Sequence, residues 1–189
     1  MKQWRQQKKP ASRSRRRTEA RCPLLLRTLS IHCRPRMDRN LTILVAEDSE
    51  DYALVLESAM KAIGWKNPIR ILPNGTEVIA YLSGEGKYSD REAYPFPSVM
   101  FVDIRMPQAD GFDVLRWVRK HPKCFVLPTM MLSSSDEPKD VQLAYELGAN
   151  GYFVKPADIN DLKAVLRAAY EFWAWCEKPK MSGGQVGSS

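Results

Sequence analysis

The feature that most constrains this chain is an alternation repeated five times between Leu41 and Cys176: a short apolar run, then a segment whose apolar residues fall at helical spacing. The first run, Leu41-Thr42-Ile43-Leu44-Val45-Ala46, suits a strand buried on both faces and ends in Glu47-Asp48. Ser49 then stands at an N-cap position, with Asp51 in the first turn and Tyr52, Leu54, Val55, Ala59, Met60 and Ile63 following before Gly64 stops the pattern. A second strand is predicted over Ile69 to Leu72 and a second helix over Thr76 to Leu82, ended by Ser83-Gly84, while residues 84–97 are polar and turn-rich. A third strand, Ser98 to Val102, ends at Asp103. A loop with Pro107 and Gly111 leads from it into a helix carrying Phe112, Val114, Leu115 and Val118, closed by Pro122. Leu127 to Leu132 predicts a fourth strand running into Ser133-Ser134-Ser135, and Asp136 to Leu147 a fourth helix with Gly148 at its end. Gly151 to Val154 predicts a fifth strand ending at Lys155-Pro156, and Asp158 is placed to cap a last helix reaching about Cys176.

Five strands alternating with five helices imply an α/β protein with a doubly wound, five-stranded parallel sheet, because parallel strands need right-handed helical crossovers that cover both faces. In such sheets the ligand site lies beyond the carboxyl ends of the strands. The polar residues at those ends are Glu47 and Asp48, Asp103, Ser133 and Lys155, so these are expected to converge. Three carboxylates in one pocket repel one another unless a cation neutralises them, and oxygen-only ligands favour a hard ion such as Mg²⁺. Lys155 would supply a cation opposite and Ser133 a hydroxyl, the set that phosphoryl transfer asks for, with Asp103 as the nucleophile. Taken singly, each is an ordinary solvated loop residue, and Glu47-Asp48 equally suits the positive end of a helix. Their joint placement at five loop positions carries the reading.

Composition narrows the class. Of 189 residues, 44% are hydrophobic and 27% charged, which excludes a wholly disordered, collagenous or membrane-embedded chain. No apolar run approaches the roughly 18 residues that span a bilayer, so no membrane insertion is expected. Cys22, Cys33, Cys124 and Cys176 lie far apart with no C-x-x-C pair, which supports neither a zinc knuckle nor a disulfide framework and fits a reducing, cytoplasmic setting. The net charge of +7 is not spread evenly: residues 1–36 hold 12 Lys and Arg against the single acid Glu19, leaving the body at −4. The organisation expected is a basic, disordered extension over 1–36, a domain over 37–178 and a flexible tail over 179–189. Three readings stand for the extension: a stretch not translated natively, with the protein starting at Met37; a solvated basic arm with loose affinity for nucleic acid or anionic lipid; and a cleaved, Arg-rich address.

Residues 41–177 resemble the receiver domain of two-component response regulators. The segments that carry the resemblance are Val45-Ala46-Glu47-Asp48, Val102-Asp103-Ile104-Arg105-Met106-Pro107 with Asp110-Gly111, Met131-Leu132-Ser133-Ser134, and Gly148-Ala149-Asn150-Gly151-Tyr152-Phe153-Val154-Lys155-Pro156. The resemblance implies a flavodoxin-like fold in which Asp103 accepts a phosphoryl group from a histidine kinase or phosphotransfer protein. Glu47, Asp48, Asp103 and the backbone carbonyl of Arg105 would bind Mg²⁺, and Ser133 and Lys155 would contact the phosphate. It also implies a switch in which Tyr152 turns inward as Ser133 moves to the phosphate, remodelling the fourth helix, fifth strand and fifth helix. The long 84–97 segment resembles single-domain regulators that partner phytochrome-like histidine kinases.

On the last helix, Leu162, Val165, Leu166, Ala169, Trp173 and Cys176 project to one face, read as core. Phe172 falls at its edge and Trp175 well outside, so at least one large aromatic is expected to be exposed, and a symmetric dimer through this helix is the hypothesis. The Ser-Gly-Gly-Gln-Val-Gly-Ser-Ser end reads as a flexible tail, so a stand-alone phosphoacceptor is expected, with no dedicated output enzyme. Two other functions compete. A phosphatase of the haloacid dehalogenase type also uses an aspartate nucleophile with Mg²⁺ but resemblance to it would want a second Asp two residues on, where Arg105 stands. A nucleic-acid-binding protein would work through the basic extension.

Overall fold

Successive residues of a strand face opposite sides of its sheet, and in Thr42–Ala46 (β1) both sides are apolar. Ile43 and Val45 pack on one face and Leu44 and Ala46 on the other, all buried, which places this strand in the middle of a sheet covered by helices on both sides. The computed structural model describes residues 41–176, and the expected extension over 1–36 and tail over 179–189 lie outside the described residues. The other strands are Ile69–Leu72 (β2), Pro97–Val102 (β3), Thr129–Ser133 (β4) and Gly151–Val154 (β5), joined by helices Glu50–Ala62 (α1), Gly75–Ser83 (α2), Gly111–Lys120 (α3), Pro138–Glu146 (α4) and Ile159–Trp175 (α5). They form one five-stranded sheet in the order β2-β1-β3-β4-β5. Every pairing is parallel, with Val45 beside Phe101, Phe101 beside Met130 and Leu132 beside Phe153. The doubly wound parallel sheet expected from the alternation, and the flavodoxin-like fold implied by the resemblance, are the ones observed.

The order places the site. The chain steps from β1 outward to β2, then returns across β1 to β3, so the connections leaving β1 and β3 diverge and open a crevice at their carboxyl ends. Two cores flank the sheet: Ile43, Phe101, Leu132, Leu166 and Trp173 lie in one, and Leu44, Met100, Met131, Val114 and Leu115 in the other. The face of α5 read as core is buried at Leu162, Leu166, Ala169 and Trp173, whereas Val165 and Cys176 are half-buried.

Three local readings shift. The fourth strand begins at Thr129, not Leu127, because Leu127 closes a turn onto the Cys124 carbonyl and Pro128 has no N–H to give a ladder. The fourth helix begins at Pro138, not Asp136: Glu137 is extended, as a residue before proline prefers to be, and Pro138 opens the helix. The second helix starts one residue early, at Gly75, capped by the Asn74 side chain on the Glu77 N–H at 2.8 Å.

The segment read as a polar loop has its own small core. Gly84 ends α2 in the left-handed conformation (φ 76°), a single 3₁₀ turn follows over Gly86–Tyr88, and the rings of Tyr81, Tyr88 and Tyr94 cluster with centroids 5.1 to 6.1 Å apart, Tyr94 edge to face with the other two. Arg91 spends its guanidinium on the carbonyls that end α2, Tyr81 at 2.8 Å and Leu82 at 2.9 Å.

Candidate functional site

The expected site residues arrive at the ends of four different strands. β1 ends at Glu47 and Asp48, β3 at Asp103, β4 in Ser133, and β5 at Lys155. Glu47, Asp103 and Ser133 are buried, whereas Asp48 is exposed at the rim. The Lys155 ammonium donates to Glu47 Oε2 at 2.7 Å and to Asp103 Oδ2 at 2.8 Å, so one cation bridges the ends of β1 and β3 from the far side of the sheet. Burial is the larger influence on Glu47 and raises its pKa above the ordinary carboxylate value despite the ammonium beside it.

One ammonium cannot balance three carboxylates. Glu47, Asp48 and Asp103 each present a ligand oxygen, all within 4.8 Å of one another, and Asp103 Oδ1 is buried with no hydrogen-bond partner. An orphaned carboxylate oxygen inside an all-oxygen donor set fits a hard divalent cation. Backbone shape keeps the donors in place. A Cβ on Gly111 would collide with the Asp103 carbonyl oxygen and come within 2.9 Å of Ile104 Cα, so only glycine lets α3 start so close behind Asp103. The Gly111 N–H donates to the Ile104 carbonyl at 3.0 Å, and Gln108, with φ 68°, makes the tight turn that returns the loop to the helix.

Ser133 begins a chain of bonds that leads away from the pocket. Its hydroxyl accepts the Ser135 N–H at 3.1 Å, and the Ser135 carbonyl accepts the Tyr152 hydroxyl at 2.8 Å. The Ser135 hydroxyl donates to Asp140 Oδ2 at 2.7 Å, and Arg105, its side chain otherwise exposed, approaches that same oxygen at 3.7 Å. Tyr152 is thus tied to Ser133 through one residue, and Arg105 turns toward α4. Phe172 and Trp175 stand apart from the pocket on α5, 58% and 60% exposed.

Two contributors went unread in the sequence. Tyr52, read as an apolar position of α1, lies with its ring under the Lys155 ammonium, 4.4 Å from the ring centroid. Asp140, three residues into α4, is the buried acceptor for Ser135. For Tyr52 the signal was available, since an aromatic one turn beyond a strand-end carboxylate must sit near the crevice.

A protein-family profile described as "Response regulator receiver domain" matches residues 43–167. This chain belongs to that family. Receiver domains take their phosphoryl group from histidine kinases in two-component signalling. The response regulator Rcp1 of Synechocystis sp. is 29% identical over 131 residues, covering 69% of this chain and 87% of Rcp1. Its crystal structure in the Mn²⁺-bound form superposes with a TM-score of 0.66 at 28% identity, over 74% of this chain and 99% of that one. The response regulator RPA3017 in red light signaling of R. palustris gives a TM-score of 0.71 at 31% identity, over 74% of this chain and 99% of that one. The phosphorylated cyanobacterial phytochrome response regulator RcpA gives 0.69 at 25% identity, over 75% and 99%. The phosphatase and nucleic-acid readings find no support in these likenesses. A receiver's acidic cluster binding a divalent cation fits both the Mn²⁺-bound relative and the orphaned oxygen of Asp103. Among the described residues, no helix is long and apolar enough to cross a membrane.

Proposed function

We propose that this receiver accepts a phosphoryl group on Asp103 from the phosphohistidine of a sensor kinase or phosphotransfer protein. The observation that carries it is the placement of Asp103: buried, one oxygen on Lys155 and the other unpaired within reach of Glu47 and Asp48. An Asp103 carboxylate oxygen forms a bond to phosphorus as the phosphorus–nitrogen bond breaks, and the electron pair stays on the imidazole nitrogen. Lys155 then exchanges its bond to Asp103 for one to a phosphoryl oxygen, and the Ser133 hydroxyl donates to another. Glu47, Asp48, Asp103 and the Arg105 carbonyl would hold Mg²⁺, which would neutralise charge on the oxygens around phosphorus. Hydrolysis reverses the occupancy: water bonds to phosphorus and the Asp103 carboxylate leaves. The domain thus assists its own phosphorylation and dephosphorylation, and acts as a phosphoacceptor, not a dedicated enzyme.

Output follows the bonded chain. When Ser133 turns to the phosphoryl group, Ser135 loses an acceptor for its N–H and shifts, and Tyr152, bonded to its carbonyl, follows inward. The likeness to RPA3017, RcpA and Rcp1 supports a phytochrome-like kinase as the donor and a cytoplasmic setting. The exposed rings of Phe172 and Trp175 support a symmetric dimer through α5, since aromatics are enriched at interface centres. Mixing the purified protein with an autophosphorylated phytochrome-type histidine kinase tests the reading. Rapid loss of label from the kinase, absent with Asp103→Asn, is the expected result, and equal loss with both proteins would refute it.

A further inference from the structure

The Lys155 ammonium is held from three directions. Two are the carboxylates of Glu47 and Asp103, at 2.7 Å and 2.8 Å, and the third is the ring face of Tyr52, 4.4 Å from Nζ to centroid and inside the roughly 6 Å reach of a cation–π contact. These supports differ in what a phosphoryl group does to them. Phosphorylation removes the charge of the Asp103 carboxylate and gives Lys155 a new acceptor, and a bound cation competes for Glu47. The aromatic face is untouched by either event. It is also fixed from its own backbone, because the Tyr52 N–H donates to Ser49 Oγ at 3.3 Å in the cap of α1. Cation–π attraction grows as water is excluded, and the Lys155 side chain is largely shielded from solvent. The Tyr52 hydroxyl is buried with no hydrogen-bond partner. Burial first, then the nearby negative charges of Glu47 and Asp103, push its pKa up to about 12, so the ring stays neutral.

We propose that Tyr52 is a positioning residue for phosphoryl transfer: its ring face holds the Lys155 ammonium at the mouth of the pocket while the ammonium changes partners from Asp103 to a phosphoryl oxygen. This rests on the reading of Asp103 as phosphoacceptor and Lys155 as its phosphate contact. The ring, not the hydroxyl, carries the role, so Tyr52→Phe keeps it and Tyr52→Leu removes it.

The test uses the full chain as wild type, Tyr52→Phe and Tyr52→Leu, with acetyl phosphate and Mg²⁺, at a temperature where thermal melts show all three folded. Adduct formation followed by intact mass is expected to slow roughly tenfold in Tyr52→Leu and to return to the wild-type rate in Tyr52→Phe. A second readout needs no transfer. In carbon-13 spectra the Lys155 ε-methylene protons are expected upfield in wild type and Tyr52→Phe, from the ring current, and at the ordinary lysine position in Tyr52→Leu. A purely structural Tyr52 would lower the melting temperature and leave the rate of adduct formation unmoved. A wild-type rate in Tyr52→Leu, or an ordinary Lys155 position in the wild type, overturns the proposal. A wild type that takes no adduct refutes the Asp103 reading instead, and the ring-current shift then decides on Tyr52 by itself.

Discussion

At the scale of single residues, the pocket is a charge balance held open. Glu47 and Asp103 share one ammonium, so the two substitutions that look equally disruptive act in opposite ways. Lys155→Met leaves two buried carboxylates without their cation and is expected to cost about 3 kcal/mol, the range for breaking a buried ion pair from one side. Asp103→Asn leaves one buried carboxylate, Glu47, for the ammonium and is expected to cost under about 1 kcal/mol or to stabilise. Urea unfolding of both in metal-free buffer checks the order, and added Mg²⁺ should recover part of the Lys155→Met loss; a larger loss for Asp103→Asn would contradict the balance. The strand-end residues were legible in the sequence because topology alone sends them to one edge of the sheet. Tyr52 was legible only through its place one turn beyond a strand-end carboxylate, and Asp140 was not, since its role depends on how a side chain on α4 leans over that edge, which periodicity does not encode.

At the scale of elements, the junction of β3 with α3 is set by one missing Cβ. Gly111→Ala drives a methyl into the Asp103 carbonyl, and a loss of about 2 kcal/mol is expected together with weaker binding of Mn²⁺, read by isothermal titration. Unchanged affinity would mean that the loop can move without disturbing the carboxylates. The α2–β3 segment carries the clearest pH signature. Tyr88, through its hydroxyl, and then Lys87 hold the Glu77 carboxyl below its ordinary value of 4.5. A depressed carboxylate favours the folded state above the unfolded pKa and loses that advantage as pH falls through the folded value. Wild type should therefore outlast Glu77→Gln above about pH 4.5, with the gap closing below it; a gap independent of pH would remove Glu77 from the segment's stability. This segment read as a plain loop because Tyr88, Arg91 and Tyr94 follow no helical or strand period, although three tyrosines beside one arginine were a sign of a local core. Helix starts slipped for a similar reason: the Asp136 start missed that Pro138 forces Glu137 out of helical geometry.

At the scale of the whole molecule, the alternation of apolar runs was enough to give the sheet, because strands buried on both faces leave continuous signals that no other architecture needs. What leaves the fold is less constrained. Phe172 and Trp175 keep more than half their surface in water on the helix that packs beside α1, and dimerisation through them predicts that Trp175→Ala weakens self-association without changing phosphorylation. Sedimentation of both proteins, with and without a phosphodonor, checks this, and a wild-type monomer in both states would refute the dimer. The most direct test of the central claim is intact-mass spectrometry of the full chain with acetyl phosphate and Mg²⁺, beside Asp103→Asn. A single phosphoryl adduct that requires the divalent ion and is absent from the variant is the result expected. An adduct on both proteins, or on neither, would contradict Asp103 as the phosphoacceptor.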